Sequence, residues 1–237
     1  LDTKKQIYGQ AFAIYAYAQY FEATGNEEAL LMAKEIYRLL EKHGYDDVHG
    51  GYIEACSREW QETDTYSLSD KDLNEKKSMN THLHVLEAYT LLYRVSPTKE
   101  LHHSLTSLIE LTIQHIIDAD TGHFKLFFND TWESKSSHIS YGHDIEGSWL
   151  LVEAAEAIDD PDLFDQVKSI ALRMADAVLE YGYDEDGGLF NEADHKQLID
   201  DDKDWWPQAE AMVGFYNAYQ LTNEARYLEA AQASWQF

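Results

Sequence analysis

Lys77-Ser-Met-Asn-Thr-His-Leu-His-Val-Leu-Glu-Ala-Tyr-Thr-Leu-Leu92 sets polar, proton-handling groups inside a strongly helical pattern. A helix turns about 100° per residue, so Asn80 and His84 project from one face about 40° apart, with Glu87 close to the same line. His82, two positions earlier than His84, points about 160° away and reads as a packing residue. Two further stretches have the same character. Ser140-Tyr-Gly-His-Asp-Ile-Glu-Gly-Ser-Trp149 and Trp205-Trp-Pro-Gln-Ala-Glu210 each open a helix with His, Glu or Trp in its first turns. Three helix beginnings of this kind predict one shared cavity.

Working outward, apolar residues recur at three- and four-residue spacing through most of the chain. The spacing predicts helices over about 4–24, 27–43, 79–95, 98–118, 143–158, 161–181, 206–222 and 224–237. They fall into pairs joined by short turns, Thr24-Gly-Asn26, Val95-Ser-Pro-Thr98, Asp159-Asp-Pro161 and Leu221-Thr-Asn223, all rich in capping residues. Longer connections rich in Gly, Asp and aromatics separate the pairs. Gly51, Gly122 and Gly188 mark equivalent points of these connections, the signature of a tandem repeat of helical hairpins. The fold class expected is all-α, an α/α toroid with its long loops at one end, in a single domain over 1–237. Within the long loops, Gly51–Trp60 and Gly122–Trp132 have strand character and predict small hairpins.

The 237 residues carry 18 basic and 44 acidic side chains, a formal net charge of -26. Such a surface repels phosphate backbones and anionic lipid, which argues against nucleic-acid and membrane partners. With 44% apolar and 13% aromatic residues the chain has a core to bury, despite a mean hydropathy of -0.50. Cys56 is the single cysteine; it excludes an internal disulfide and fits a cytoplasmic location. No apolar run reaches the ~20 residues of a bilayer crossing. Phosphate-binding loops, a Gly-x-Ser-x-Gly elbow and metal-ligand spacings are missing, so neither a cofactor nor a metal is expected.

Each candidate residue also has a plain structural explanation. His84 sits among Leu83, Val85 and Leu86, where a histidine is often a satisfied core group. His143 and Glu146, at i and i+3, can meet as a hydrogen-bonded couple suited to taking and giving a proton, or can be an ordinary helix-start pair. Trp206 and Glu210, at i and i+4 with Trp149 as a further wall, suit a sugar ring through an indole face and a hydroxyl-accepting carboxylate, or simply fill a helical core.

Taken in order, Tyr8-Gly-Gln-Ala-Phe-Ala-Ile-Tyr15, the segment Leu68–His84, Ser140-Tyr-Gly-His-Asp-Ile-Glu146 and Trp205-Trp-Pro-Gln-Ala-Glu210 resemble the N-acylglucosamine 2-epimerase superfamily, in its cellobiose 2-epimerase branch. The likeness runs over essentially the whole chain. It implies an (α/α)6 barrel, of which this chain carries about eight helices as a partial barrel. It also implies inversion at C2 of the reducing-end glucose of cellobiose or related β-1,4-disaccharides, with no metal or nucleotide. The ring opens, a histidine removes the C2 proton, a cis-enediolate forms, and a second histidine returns a proton to the opposite face.

By that resemblance His143 is one acid/base histidine and Glu146 the carboxylate that positions it. His84 serves ring opening and the O1/O5 region, with Asn80 beside it. Trp149, Trp205 and Trp206 contact sugar, and Glu210 binds hydroxyls. The second acid/base histidine and an enediolate-stabilising arginine are expected beyond Phe237 and before Leu1, so the chain by itself is expected to be inactive or nearly so. His195 does not match the missing motif. Two other classes are compatible with the residues: an α/α-toroid glycoside hydrolase, which needs a pair of facing carboxyl groups, and a non-catalytic sugar- or protein-binding relative.

Overall fold

The computed structural model describes residues 3–69 and 72–237. Asp70 and Lys71, inside the segment Leu68–His84 quoted above, lie outside the described residues. Eight α-helices are present among the described residues: α1 Ile7–Thr24, α2 Glu27–His43, α3 Met79–Val95, α4 Lys99–Leu111, α5 Tyr141–Ile158, α6 Pro161–Tyr181, α7 Trp205–Thr222 and α8 Ala225–Gln236. Seven short strands accompany them: β1 Lys5–Gln6, β2 Ala55–Cys56, β3 Lys77–Ser78, β4 Phe127–Phe128, β5 His138–Ser140, β6 Glu192–Asp194 and β7 Gln197–Asp200.

The helix boundaries follow from local chemistry. Gly25 closes α1 in the left-handed region at φ 69°, its N–H donating to Phe21 O, and Asn26 caps α2 by accepting from Ala29 N–H. Glu27 and Glu28 in the first turn of α2, with Lys42 and His43 in its last, complement the helix dipole. Ser78 caps α3 through Thr81 N–H, Thr98 caps α4 through Leu101 N–H, and Asp160 caps α6 ahead of Pro161. Asp159 and Asn223 end α5 and α7 in left-handed conformations that Asp and Asn tolerate.

The chain forms two compact units, Leu1–His115 with Leu126–Ser136, and Ile116–Lys125 with Ser137–Phe237. In the first, α1 packs against α2 and α3, and α3 against α4. In the second, α5 packs against α6 and α7, and α7 against α8. The division of labour is written in the sequence. α2, α4, α6 and α8 have one apolar face each, whereas α1, α5 and α7 have apolar side chains around the circumference, as helices with neighbours on several sides require. The second unit's core joins Tyr141 and Ile145 of α5, Val178 of α6, Phe215 of α7 and Tyr227 of α8.

Three inter-helix loops share one hydrogen-bond pattern. Asp46 N–H donates to Gly51 O, Asp118 N–H to His123 O and Asp184 N–H to Gly188 O. The residue before each acceptor, Gly50, Gly122 or Gly187, takes a left-handed φ. The repeat expected from the sequence is therefore real, but its register is Gly50, Gly122 and Gly187. Gly51 has a further requirement: a Cβ there would stand 2.5 Å from Trp132 and 2.7 Å from His82 Nε2, at φ 79°.

Several expectations change. α1 begins at Ile7 because Lys5–Gln6 pairs with Ala55–Cys56, and α4 gives way at Thr112 to a π-helical turn. The hairpin expected within Gly51–Trp60 does not form, and the one expected within Gly122–Trp132 forms further along, where Phe128 bridges Ser134 and Lys135 N–H donates to Phe127 O. The strand ladders themselves are long-range, since β2 pairs with β1, and β4 with β3. The three-stranded sheet β5-β6-β7 was not visible in the sequence pattern, since its strands are only three or four residues long. Among the described residues no helix is long and apolar enough to cross a membrane.

Candidate active site

In the first unit the start of α3 is fixed from three sides. Lys77, its side chain fully buried, donates to Asp46 Oδ2 at 2.7 Å and to the Gly50 and Asp130 carbonyls at 2.8 Å each, with its ammonium 4.7 Å from the Trp132 ring centre. His82 is fully buried; its Nδ1 meets Ser78 O at 2.6 Å and its Nε2 accepts Tyr52 N–H at 2.8 Å. Burial pushes its pKa down to about 4, so it is a neutral structural histidine. The reading of His82 as packing is what the structure has.

On the opposite face, Asn80 and Glu87 are half-buried and His84 is 8% exposed. His84 Nδ1 lies 3.0 Å from Glu87 Oε2, one helical turn on. The ring is bracketed by Tyr8 and Phe12 of α1, with centroids at 4.9 and 4.7 Å. Asn80 Oδ1 is buried without a protein partner among the described residues. Tyr8 and Phe12 stand one turn apart on α1, within the Tyr8–Tyr15 motif, and sequence reasoning assigned them no role. Their i, i+4 aromatic spacing was the available signal.

Glu54 was also missed. Its backbone ties β-structure to both helix starts, since Ile7 N–H donates to Glu54 O and Glu54 N–H to Lys76 O, each at 2.9 Å. The residue is only 6% exposed, and burial raises the pKa of its carboxyl to about 7 against the opposing pull of Ser78 and Thr81. Oε1 has no well-formed partner among the described residues. A carboxyl that keeps its proton to about pH 7 folded, but loses it near 4.5 unfolded, binds more protons in the folded state. Its stabilising share is present below pH 4.5 and lost as pH rises to 7. His82 acts oppositely, its share being lost as pH falls from 6.5 toward 4. Glu54→Gln should therefore gain stability relative to the parent as pH rises from 4.5 to 7, by about 3 kcal/mol in total. Urea unfolding of both proteins across that range checks it; a difference independent of pH would refute the account.

In the second unit, α5 carries the other set. His143, Glu146 and Trp149 follow one another at three-residue spacing and are all half-buried on a helix most of whose other residues are buried. His143 Nδ1 lies 2.8 Å from Ser140 Oγ, and its ring centroid 4.8 Å from that of Trp206. Trp206 gets this close because of Gly142, where a Cβ would stand 2.5 Å from the indole. Trp149 Nε1 donates to Glu210 Oε2 at 2.9 Å, which joins α5 to α7 through two of the predicted residues. Trp205, the first residue of α7, is 81% exposed. His195, at φ 54° in the β6–β7 turn, pairs with Asp194 at 2.8 Å and is exposed.

Directly after His143, Asp144 is completely buried. Its Oδ2 meets His123 Nδ1 and its Oδ1 accepts Phe124 N–H, both at 2.7 Å. Burial raises its pKa, opposed by His123 and the Phe124 N–H. This couple fastens the loop before β4 to the first turn of α5. No sequence spacing signals it, because its members come from different elements. Among the described residues no group of three or more His, Cys, Asp or Glu is placed to hold a metal.

The N-acylglucosamine 2-epimerase (GlcNAc 2-epimerase) family matches residues 1–237. The chain belongs to this family. Cellobiose 2-epimerase of Bacteroides fragilis is 45% identical over 100% of the chain and 60% of its own length. The solved cellobiose 2-epimerase of Bacillus thermoamylovorans is 38% identical, with a TM-score of 0.93 over 100% of the chain and 60% of that structure. A D-mannose isomerase of Marinomonas mediterranea is 23% identical over 100% of the chain and 60% of its own. The epimerase-family chain thus spans about 60% of the length of the curated relatives it matches. Its fold class is the expected one, all-α of the (α/α)6 type, here as four helical hairpins.

Proposed function

We propose that the full-length protein is a sugar 2-epimerase that inverts C2 of the reducing-end glucose of cellobiose or a related β-1,4-linked disaccharide. The observation that carries this is the His143 ring, held by Ser140 and packed at a tilt against Trp206, on the helix whose Trp149 engages Glu210. It is supported by the 45% identity to a cellobiose 2-epimerase.

In this reading His84 assists ring opening with Asn80 beside it. His143 removes the C2 proton: the C2–H bond breaks, its electron pair forms the C1–C2 double bond, and the carbonyl oxygen takes up charge as a cis-enediolate. With Nδ1 engaged by Ser140 Oγ, we assign the transfer to Nε2, and Glu146 to positioning the ring. Return of a proton to the opposite face gives the mannose configuration. That step needs a second acid on the other side of the sugar, which we assign to a residue outside this chain. Trp206, Trp149 and Trp205 present indole faces to the sugar and Glu210 accepts its hydroxyls. Residues 1–237 are proposed to act as part of one cytoplasmic catalytic domain that uses neither metal nor cofactor.

Incubation of the full-length gene product with cellobiose in D2O, followed by NMR, tests the reading. Deuterium at C2 of a mannose-configured product is expected. Release of glucose would point to hydrolysis, and binding without exchange to a non-catalytic relative.

A further inference from the structure

The second unit contains a cavity of about 480 Å³ walled by the loop 119–123, by α6 and by the β6–β7 turn. This volume falls within the range of small-molecule sites. None of the residues assigned above to the sugar reaction lines it.

His123 is its buried polar member. The ring lines the cavity yet is only 5% exposed, and Asp144 holds its Nδ1 at 2.7 Å. An ionised Asp144 accepts at both oxygens, from Phe124 N–H at Oδ1 and from the imidazole at Oδ2, which places the ring proton on Nδ1 and fixes the orientation of the ring. Nε2 then has no hydrogen-bonding partner among the described residues. Fastening the loop needs only the Asp144 bonds; an oriented imidazole whose second nitrogen is unused is what a ligand anchor requires.

The charges around it select the ligand. Asp176 is occupied by Arg226 at 2.8 Å and by Tyr227 at 2.7 Å, and His195 by Asp194. What remains is Arg173 and Lys196 against Asp120 and Glu180, two of each sign. A balanced lining favours a neutral molecule that both donates and accepts hydrogen bonds. Tyr181, 44% exposed, with Lys196 beside its ring, adds an apolar face for C–H groups. We infer that this cavity is a second ligand site, distinct from the His143 cluster, for a neutral polyhydroxylated molecule such as a monosaccharide, anchored by His123 Nε2.

The inference does not rest on the epimerase reading. The test is titration of the full-length protein with D-glucose, followed by NMR of histidines labelled at Cε1. Contacts to the Tyr141 and Tyr181 rings, at 5.8 and 6.1 Å between centroids, identify the His123 signal. That signal should move saturably, in the parent and equally in His143→Ala. Tyr181→Ala, a change at an exposed position, should weaken its response about fivefold. A His123 signal unmoved throughout the glucose titration, or a response lost in His143→Ala and unaffected by Tyr181→Ala, would overturn the inference.

Discussion

His143→Ala in the full-length protein is expected to lower C2 exchange on cellobiose by about 10²–10⁴-fold, the range a positioned acid/base group supplies. Cellobiose binding should remain detectable, because the sugar contacts proposed for Trp206, Trp149 and Glu210 do not depend on the imidazole. The fold should also survive, since the ring is half-buried and Trp206 packs on Gly142 as well as on His143. Deuterium incorporation at C2 in D2O, measured beside equilibrium binding, separates the two quantities. Retained exchange with the variant would remove His143 from the reaction and leave the family assignment intact.

Asp144→Ala is expected to be the most damaging single change to stability in the second unit. Removing the carboxyl leaves the Phe124 N–H and the His123 Nδ1–H buried without acceptors, in a place where Asp144 is 0% exposed. Each buried donor left without an acceptor costs about 1–3 kcal/mol. Asp144→Asn, which keeps one acceptor oxygen, should cost less. Urea unfolding of the three proteins gives the order; equal stability of Asp144→Ala and the parent would show that the loop is held by other contacts. Because Asp144 directly follows His143, a milder variant that folds is also expected to reduce C2 exchange through displacement of α5's first turn.

Much of the architecture was legible without coordinates. The helices were readable because their hydrogen bonds run four residues back, so periodicity and caps such as Asn26, Thr98 and Asp160 are local facts. The separation of His82 from His84 was also local, a matter of 100° per residue. Strand partners were not readable. Cys56 pairs with Lys5 and Phe128 with Lys77, choices made by how loops lie against helix starts and carried by strands of two residues. The repeat was visible as spaced glycines, yet its register came from which N–H meets which carbonyl.

The candidate site divides the same way. Asn80, His84, His143, Glu146, Trp149, Trp206 and Glu210 were named from their spacing on single helices, and the motifs they sit in decided the family. Tertiary packing alone decided that Tyr8 and Phe12 enclose His84, that Ser140 takes His143 Nδ1, that Trp149 donates to Glu210, and that His123 and Asp144 form a couple. A chain specifies its short-range turns residue by residue. Which side chains then become neighbours across elements is settled by the joint burial of many apolar faces, and no single stretch of sequence contains that sum.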